Sequence, residues 1–110
     1  MLSIGIDIAS VARFVTLRNP RRVASFYLCA DEIAEAERAP NFAIHLASRF
    51  SAKEAVIKAT PITLSPLDFE IRKQGVRPIV VPRRTLPYRY ELSLSHEREF
   101  TIATALCQPA

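Results

Sequence analysis

Asp7 lies within the apolar run Leu2–Ala9, where a carboxylate costs several kcal/mol if it is buried and unpaired. Two readings stay open from the residue alone. Either Asp7 stands at a strand end, facing water or capping the next helix, or a cation neutralises it. Hard cations such as Mg²⁺ take one or two carboxylate oxygens, with waters and phosphates filling the rest of the shell. Glu54 is a second candidate ligand. Lys58 follows it at i+4, the favourable order for an ion pair, and an ordinary surface pair of this kind is worth about 0.2–0.5 kcal/mol. At 100° per residue, Ala43, Ala47, Phe50, Ile57 and Lys58 fall within about 60° of Glu54, which puts Glu54 on the border of an apolar stripe. If Asp7 faced Glu54, one strand and one helix would supply two carboxylates to one metal. Ser93-Leu94-Ser95-His96 is a third candidate. Its adjacent serine and histidine are not a catalytic dyad, because neighbours on a strand point apart. His45 has no partner that the sequence names. Cys29 and Cys107 lack metal-ligand spacing and read as reduced thiols.

These residues need elements to hold them. Leu2, Ile4, Ile6 and Ile8 alternate with Ser3, Gly5, Asp7 and Ala9, the pattern of a half-buried strand. Ser10 is placed to cap a short helix to about Leu17, which Asn19-Pro20 stops. Residues 21–28 read as a second short helix, and Asp31 as the cap of a third. The longest element is a helix over about 41–59, ended by Thr60-Pro61. Strands follow at 67–72 and 78–81 with Gly75 in the turn. A hairpin comes last, Tyr88–Ser95 and Phe100–Cys107, joined by His96–Glu99. The expectation is one α+β domain over residues 1–110, an antiparallel sheet packed with one long and several short helices.

The chain of 110 residues is 49% apolar and 24% charged, a globular balance, but so short a chain has a thin core that a partner subunit would help. No window approaches the ~20 apolar residues of a membrane span. The N-terminus has no basic region before its apolar stretch, so it reads as a strand and not as a signal peptide, and the protein as cytoplasmic. The net charge is +4, and residues 10–25 hold Arg13, Arg18, Arg21 and Arg22 without an acid. This is a solvated face or a docking patch for an anionic partner. No nucleic-acid motif accompanies it, and aromatics do not interleave for stacking, so nucleic acid is not the expected partner.

Three segments, in this order, resemble the holo-acyl carrier protein synthase family of 4′-phosphopantetheinyl transferases: Gly5-Ile6-Asp7-Ile8; Arg49-Phe50-Ser51-Ala52-Lys53-Glu54-Ala55 with Lys58-Ala59; and Ser93-Leu94-Ser95-His96. The resemblance implies Mg²⁺-dependent transfer of the phosphopantetheine arm of coenzyme A to a serine of an apo acyl carrier protein or carrier domain, releasing adenosine 3′,5′-bisphosphate, by a homotrimer with active sites between subunits. Carried over by position, it makes Asp7 and Glu54 the metal ligands. Glu54 also becomes the base toward the serine hydroxyl, and Lys58 the cation that stabilises the transferring phosphates. Arg49 and His96 would bind the nucleotide end, and Arg13, Arg18, Arg21 and Arg22 would dock the acidic carrier. Where the family has a glycine-rich stretch after the long helix, this chain has Ala59-Thr60-Pro61-Ile62. That departure is what an alternative would rest on, a non-catalytic relative that binds the carrier or coenzyme A.

Overall fold

The computed structural model describes residues 1–110 and shows an α+β fold. In chain order it has β1 (Ser3–Ser10), α1 (Val11–Val15), α2 (Pro20–Ala24), α3 (Ala30–Arg38) and α4 (Phe42–Ala59). A 3-10 turn (Pro66–Asp68) leads to β2 (Phe69–Gln74), β3 (Arg77–Pro82), β4 (Tyr88–His96) and β5 (Phe100–Pro109). The last strand is the middle of a three-stranded antiparallel sheet, order β1-β5-β4, so the two ends of the chain pair. β2 and β3 form a separate hairpin whose register joins Gln74 to Arg77. The two-residue turn between them needs a positive φ at its first position, and Gly75 supplies it at 64°.

α4 is the spine. Asn41 caps its start, accepting from the Ile44 N–H at 3.0 Å. At its end the Thr60 hydroxyl donates to the Val56 carbonyl at 2.7 Å. One side of α4 packs Ala52, Ala55, Val56 and Ala59 against the sheets, while Leu46 and Ala47 pack against α1 to α3. The sheet meets α4 through small residues as well, Ala103 and Ala105 of β5 and Gly5 and Ala9 of β1, so strand and helix approach closely. A Cβ on Gly5 would lie 2.0 Å from the Ala55 carbonyl oxygen.

That close approach decides which face of β1 is covered. The period of two holds, but the small face is the buried one, and Ile4, Ile6 and Ile8 stand 59–63% exposed on the outside. Other boundaries differ from expectation for local reasons. α2 stops at Ala24 instead of running to residue 28. α3 begins after Cys29, not Asp31, because the Glu32 carboxylate reaches back to accept the Cys29 N–H at 3.1 Å. Ser10 precedes α1 but makes no side-chain cap. β2 starts at Phe69, two residues late, because Ser65 and Asp68 bond reciprocally and wind Pro66–Asp68 into the turn. His96 belongs to β4 and pairs with Thr101, so it is a strand residue and not part of the connection.

Candidate active site

Two contacts fix how β1 lies on α4. Gly5 sits against Ala55 and Ala59. Thr101, the register partner of Ala9, shares a 3.2 Å hydroxyl hydrogen bond with Ser51. The strand therefore runs opposite to the helix, and Asp7, midway between Gly5 and Ala9, stands at the level of Glu54 and Ala55. Asp7 is a mid-strand residue paired with Ala103, and its side chain turns inward and is only 15% exposed. It neither faces water from a strand end nor caps α1.

Lys58 reaches across to it. Its Nζ donates to Asp7 Oδ1 at 3.1 Å and to the Ile6 carbonyl at 3.0 Å. Lys58 thus pairs with the strand carboxylate and not with Glu54, the i+4 partner its spacing suggested. Asp7 Oδ2 is buried and has no hydrogen-bond partner. Glu54 stands one turn before Lys58, half-buried and free of side-chain hydrogen bonds and ion pairs. An orphaned carboxylate oxygen with a second unengaged carboxylate at its level is a fitting donor set for a hard divalent cation. No three His, Cys, Asp or Glu side chains converge anywhere. Two carboxylates leave most of the shell to waters and phosphates, which is how Mg²⁺ usually binds beside a phosphorylated substrate. A cavity of about 310 Å³ beside Asp7 and Lys58 is walled by Ile6, Ile8 and Ile102, so it opens onto the exposed isoleucine face.

Arg49 and His96 meet in a different cavity, of about 460 Å³, together with His45 and Lys73. At 100° per residue Arg49 lies about 140° around α4 from Glu54, so one helix presents the two on opposing flanks. Arg49 is 4% exposed and is held by Glu35 at 3.3 Å. His45 is partly buried, and its Nε2 has no partner. Burial first, and the Arg49 charge next, depress the His45 pKa to about 4, so the imidazole is neutral at pH 7.

Arg13, Arg18, Arg21 and Arg22 are all exposed on α1, α2 and the link between them. They are not equivalent. Arg21 is paired with Glu37 at 2.7 Å. The Arg13 guanidinium lies 5.1 Å from the Phe50 ring and 5.6 Å from the Phe14 ring, which holds it in place. Val15 of α1 and Phe26, two residues past the end of α2, are exposed at 67% and 68%.

Sequence reasoning missed Lys53 and Glu32, each 1% exposed and paired at 2.9 Å. The three ammonium donors of Lys53 are all used, on Glu32 and on the Pro66 and Phe69 carbonyls, both at 2.6 Å. Glu32 also accepts from the Ile71 N–H at 2.9 Å. The pair ties α3, α4 and β2 together. Burial pulls the Lys53 pKa down, opposed by Glu32. The available signal was Glu32 three residues after Cys29, at capping-box spacing. Cys29 belongs to this cluster, and burial raises its thiol pKa to about 11, so it is inert at neutral pH.

Residues 3–105 match the family model described as the 4′-phosphopantetheinyl transferase superfamily. The holo-[acyl-carrier-protein] synthase of Chlorobaculum parvum is 32% identical, with the match covering 98% of this chain and 99% of that protein. The synthase of Moorella thermoacetica is 38% identical, over 98% and 94%. Among solved structures, the Bacillus anthracis holo-(acyl-carrier-protein) synthase in complex with CoA (3′,5′-ADP) superposes with a TM-score of 0.86 at 28% identity, covering 98% of this chain and 96% of that one. The Helicobacter pylori synthase in complex with coenzyme A gives 0.79 at 26% identity, covering 96% and 99%.

Proposed function

The chain belongs to the holo-acyl carrier protein synthase family of the 4′-phosphopantetheinyl transferase superfamily, and from that premise we propose that it transfers the 4′-phosphopantetheine arm of coenzyme A to a serine of an apo acyl carrier protein, with Mg²⁺. The observation that carries this reading is Asp7: one carboxylate oxygen held by Lys58, the other buried without a partner.

Asp7 Oδ2 and the Glu54 carboxylate would hold the ion. When bound, Mg²⁺ would neutralise charge on the coenzyme A pyrophosphate and make the attacked phosphorus more electrophilic. Glu54 accepts the proton of the incoming serine hydroxyl, directly or through a water. The serine Oγ–P bond forms as the P–O bond to the bridging pyrophosphate oxygen breaks, and adenosine 3′,5′-bisphosphate leaves with the electron pair. Lys58 stabilises charge on the transferring phosphates as a point charge and keeps Asp7 Oδ1 engaged, which leaves Oδ2 as the oxygen that would hold the ion. Arg49 and His96 bind the nucleotide end.

Three features support a homotrimer with sites between subunits. The face of Ile4, Ile6, Ile8 and Ile102 is an exposed apolar surface of the kind that marks an interface. The Asp7 cavity opens onto that face. Asp7 and Glu54 lie on one flank of α4 while Arg49 and His96 line a separate cavity, so coenzyme A touching both sets would span two chains. Arg13, Arg18 and Arg22, with Val15 and Phe26 beside them, form the docking surface for the acidic carrier, and Arg21 contributes less because Glu37 neutralises it. Both cysteines are free thiols, which suits a cytoplasmic protein. No helix is long and apolar enough to cross a membrane.

The test is the intact mass of an apo acyl carrier protein incubated with the chain, coenzyme A and Mg²⁺. A phosphopantetheine-sized gain, lost with EDTA or with Glu54→Gln, is expected. No gain, with carrier or coenzyme A binding retained, would instead establish a non-catalytic binding module.

A further inference from the structure

Phe50 belongs to the segment that carries the family resemblance, yet no step of the transfer described above uses it. It stands on α4 one turn before Glu54, about 40° round the helix and about 6 Å along its axis. Three side chains converge on its ring. Phe14 of α1 lies 5.7 Å away, centroid to centroid, at 55°. Tyr27, just past α2, lies 5.2 Å away at 83°, edge to face. The Arg13 guanidinium carbon sits 5.1 Å from the ring centroid, within cation–π reach. Arg13 is otherwise exposed and engages no acid, unlike Arg21, which Glu37 neutralises. A guanidinium that rests its face on a ring keeps its in-plane N–H donors free for a carboxylate. Tyr27 is 8% exposed and its hydroxyl is buried without a partner, so the ring serves this place through its edge and not through a hydrogen bond. Burial raises the Tyr27 pKa and the Arg13 charge opposes that rise, which agrees with Arg13 lying over this cluster.

Resting on the transferase reading, we propose that Phe50, braced by Tyr27 and Phe14, positions Arg13 relative to Glu54, so that the fork gripping a carboxylate of the carrier is held at a fixed offset from the base that meets its serine. An arginine free to sweep would attract an acidic carrier equally well, but it would leave the serine at varying distances from Glu54. Phe50 is a positioning residue that acts through Arg13. The same helix carries the ring under the arginine and, one turn on, the base.

Initial rates of carrier modification are measured at saturating coenzyme A and Mg²⁺, with kcat and the carrier KM separated. The proteins are wild type, Phe50→Leu, Phe50→Tyr, Arg13→Met, Arg13→Lys and Arg13→Met/Phe50→Leu, each first shown to melt cooperatively. Phe50→Leu keeps apolar bulk and loses the π face. It should lower kcat/KM for the carrier roughly threefold to tenfold, the worth of one cation–π contact, mostly in kcat, with the KM for coenzyme A unmoved. Phe50→Tyr, which keeps the face, should recover most of that loss. Arg13→Met should lose more, and the double variant should be no worse than Arg13→Met alone, because an absent arginine needs no positioning. Arg13→Lys keeps the charge without the fork, and it reports even if Phe50→Leu fails to fold. It should lose kcat at a carrier KM near that of wild type. Full kcat in Phe50→Leu, Arg13→Lys or Arg13→Met, equal impairment of Phe50→Tyr and Phe50→Leu, or losses that multiply in the double variant overturn the positioning role while the transferase reading stands. Wild type that modifies no carrier overturns both.

Discussion

Gly5→Ala tests how the fold sets up the site. A Cβ built at Gly5 lies 2.0 Å from the Ala55 carbonyl oxygen and 2.7 Å from the Ala59 nitrogen, where ordinary contact begins near 3.4 Å. Both obstacles are helix backbone and cannot rotate away, so β1 must lift from α4 by roughly 1 Å. Overpacking of this kind costs about 1–3 kcal/mol, offset by less than about 1 kcal/mol from replacing glycine in a strand. The melting temperature should therefore fall by roughly 4–15 °C for a domain of this size. The same displacement carries Asp7 with it. The Asp7–Lys58 contact at 3.1 Å would leave hydrogen-bonding range. Transfer to a carrier protein should therefore drop more than the stability loss explains when measured well below the melting point. The assay pairs a thermal melt with the initial rate of carrier modification at saturating Mg²⁺. A variant that melts at or above wild type with full activity would refute the close-packing argument.

Lys53→Met leaves the Glu32 carboxylate buried and two carbonyls unpaired, and urea denaturation should show a loss of about 3–5 kcal/mol, partly recovered in Lys53→Met/Glu32→Gln. His45 titrates near 4 in the folded chain against an ordinary 6.5, so the unfolded chain binds more protons between those values. Stability should be full above pH 6.5 and fall by about 1–2 kcal/mol toward pH 4, discounted for partial exposure, and His45→Phe should flatten that slope in pH-dependent melts. Ile8→Lys places a charge in the exposed isoleucine face, and sedimentation should show a trimeric wild type and a dissociated variant that still melts cooperatively.

The strand-first, helix-middle, hairpin-last order was legible because periodicity and the Pro61 and Gly75 signals are local. The buried face of β1 was not. Isoleucines normally point inward, and only the match of Gly5 and Ala9 to an alanine-rich helix far along the chain inverts that. Asp7, Glu54 and Lys58 were legible as candidates, but the partner of Lys58 was not, because i+4 spacing is visible in a sequence and a strand laid across the helix is not. The separation of Arg49 from Glu54 was available on the same helical wheel that placed Glu54. The Lys53–Glu32 pair was hidden because a charged residue in a helix reads as surface until its neighbours are known.

The sharpest measurement is Mn²⁺ binding followed by electron paramagnetic resonance, with coenzyme A present, in wild type, Asp7→Asn and Glu54→Gln. Asp7 and Glu54 sharing one ion predicts one tightly held Mn²⁺ per chain in wild type and a loss of tight binding in each variant. Retention of the ion at wild-type affinity in both variants would contradict it.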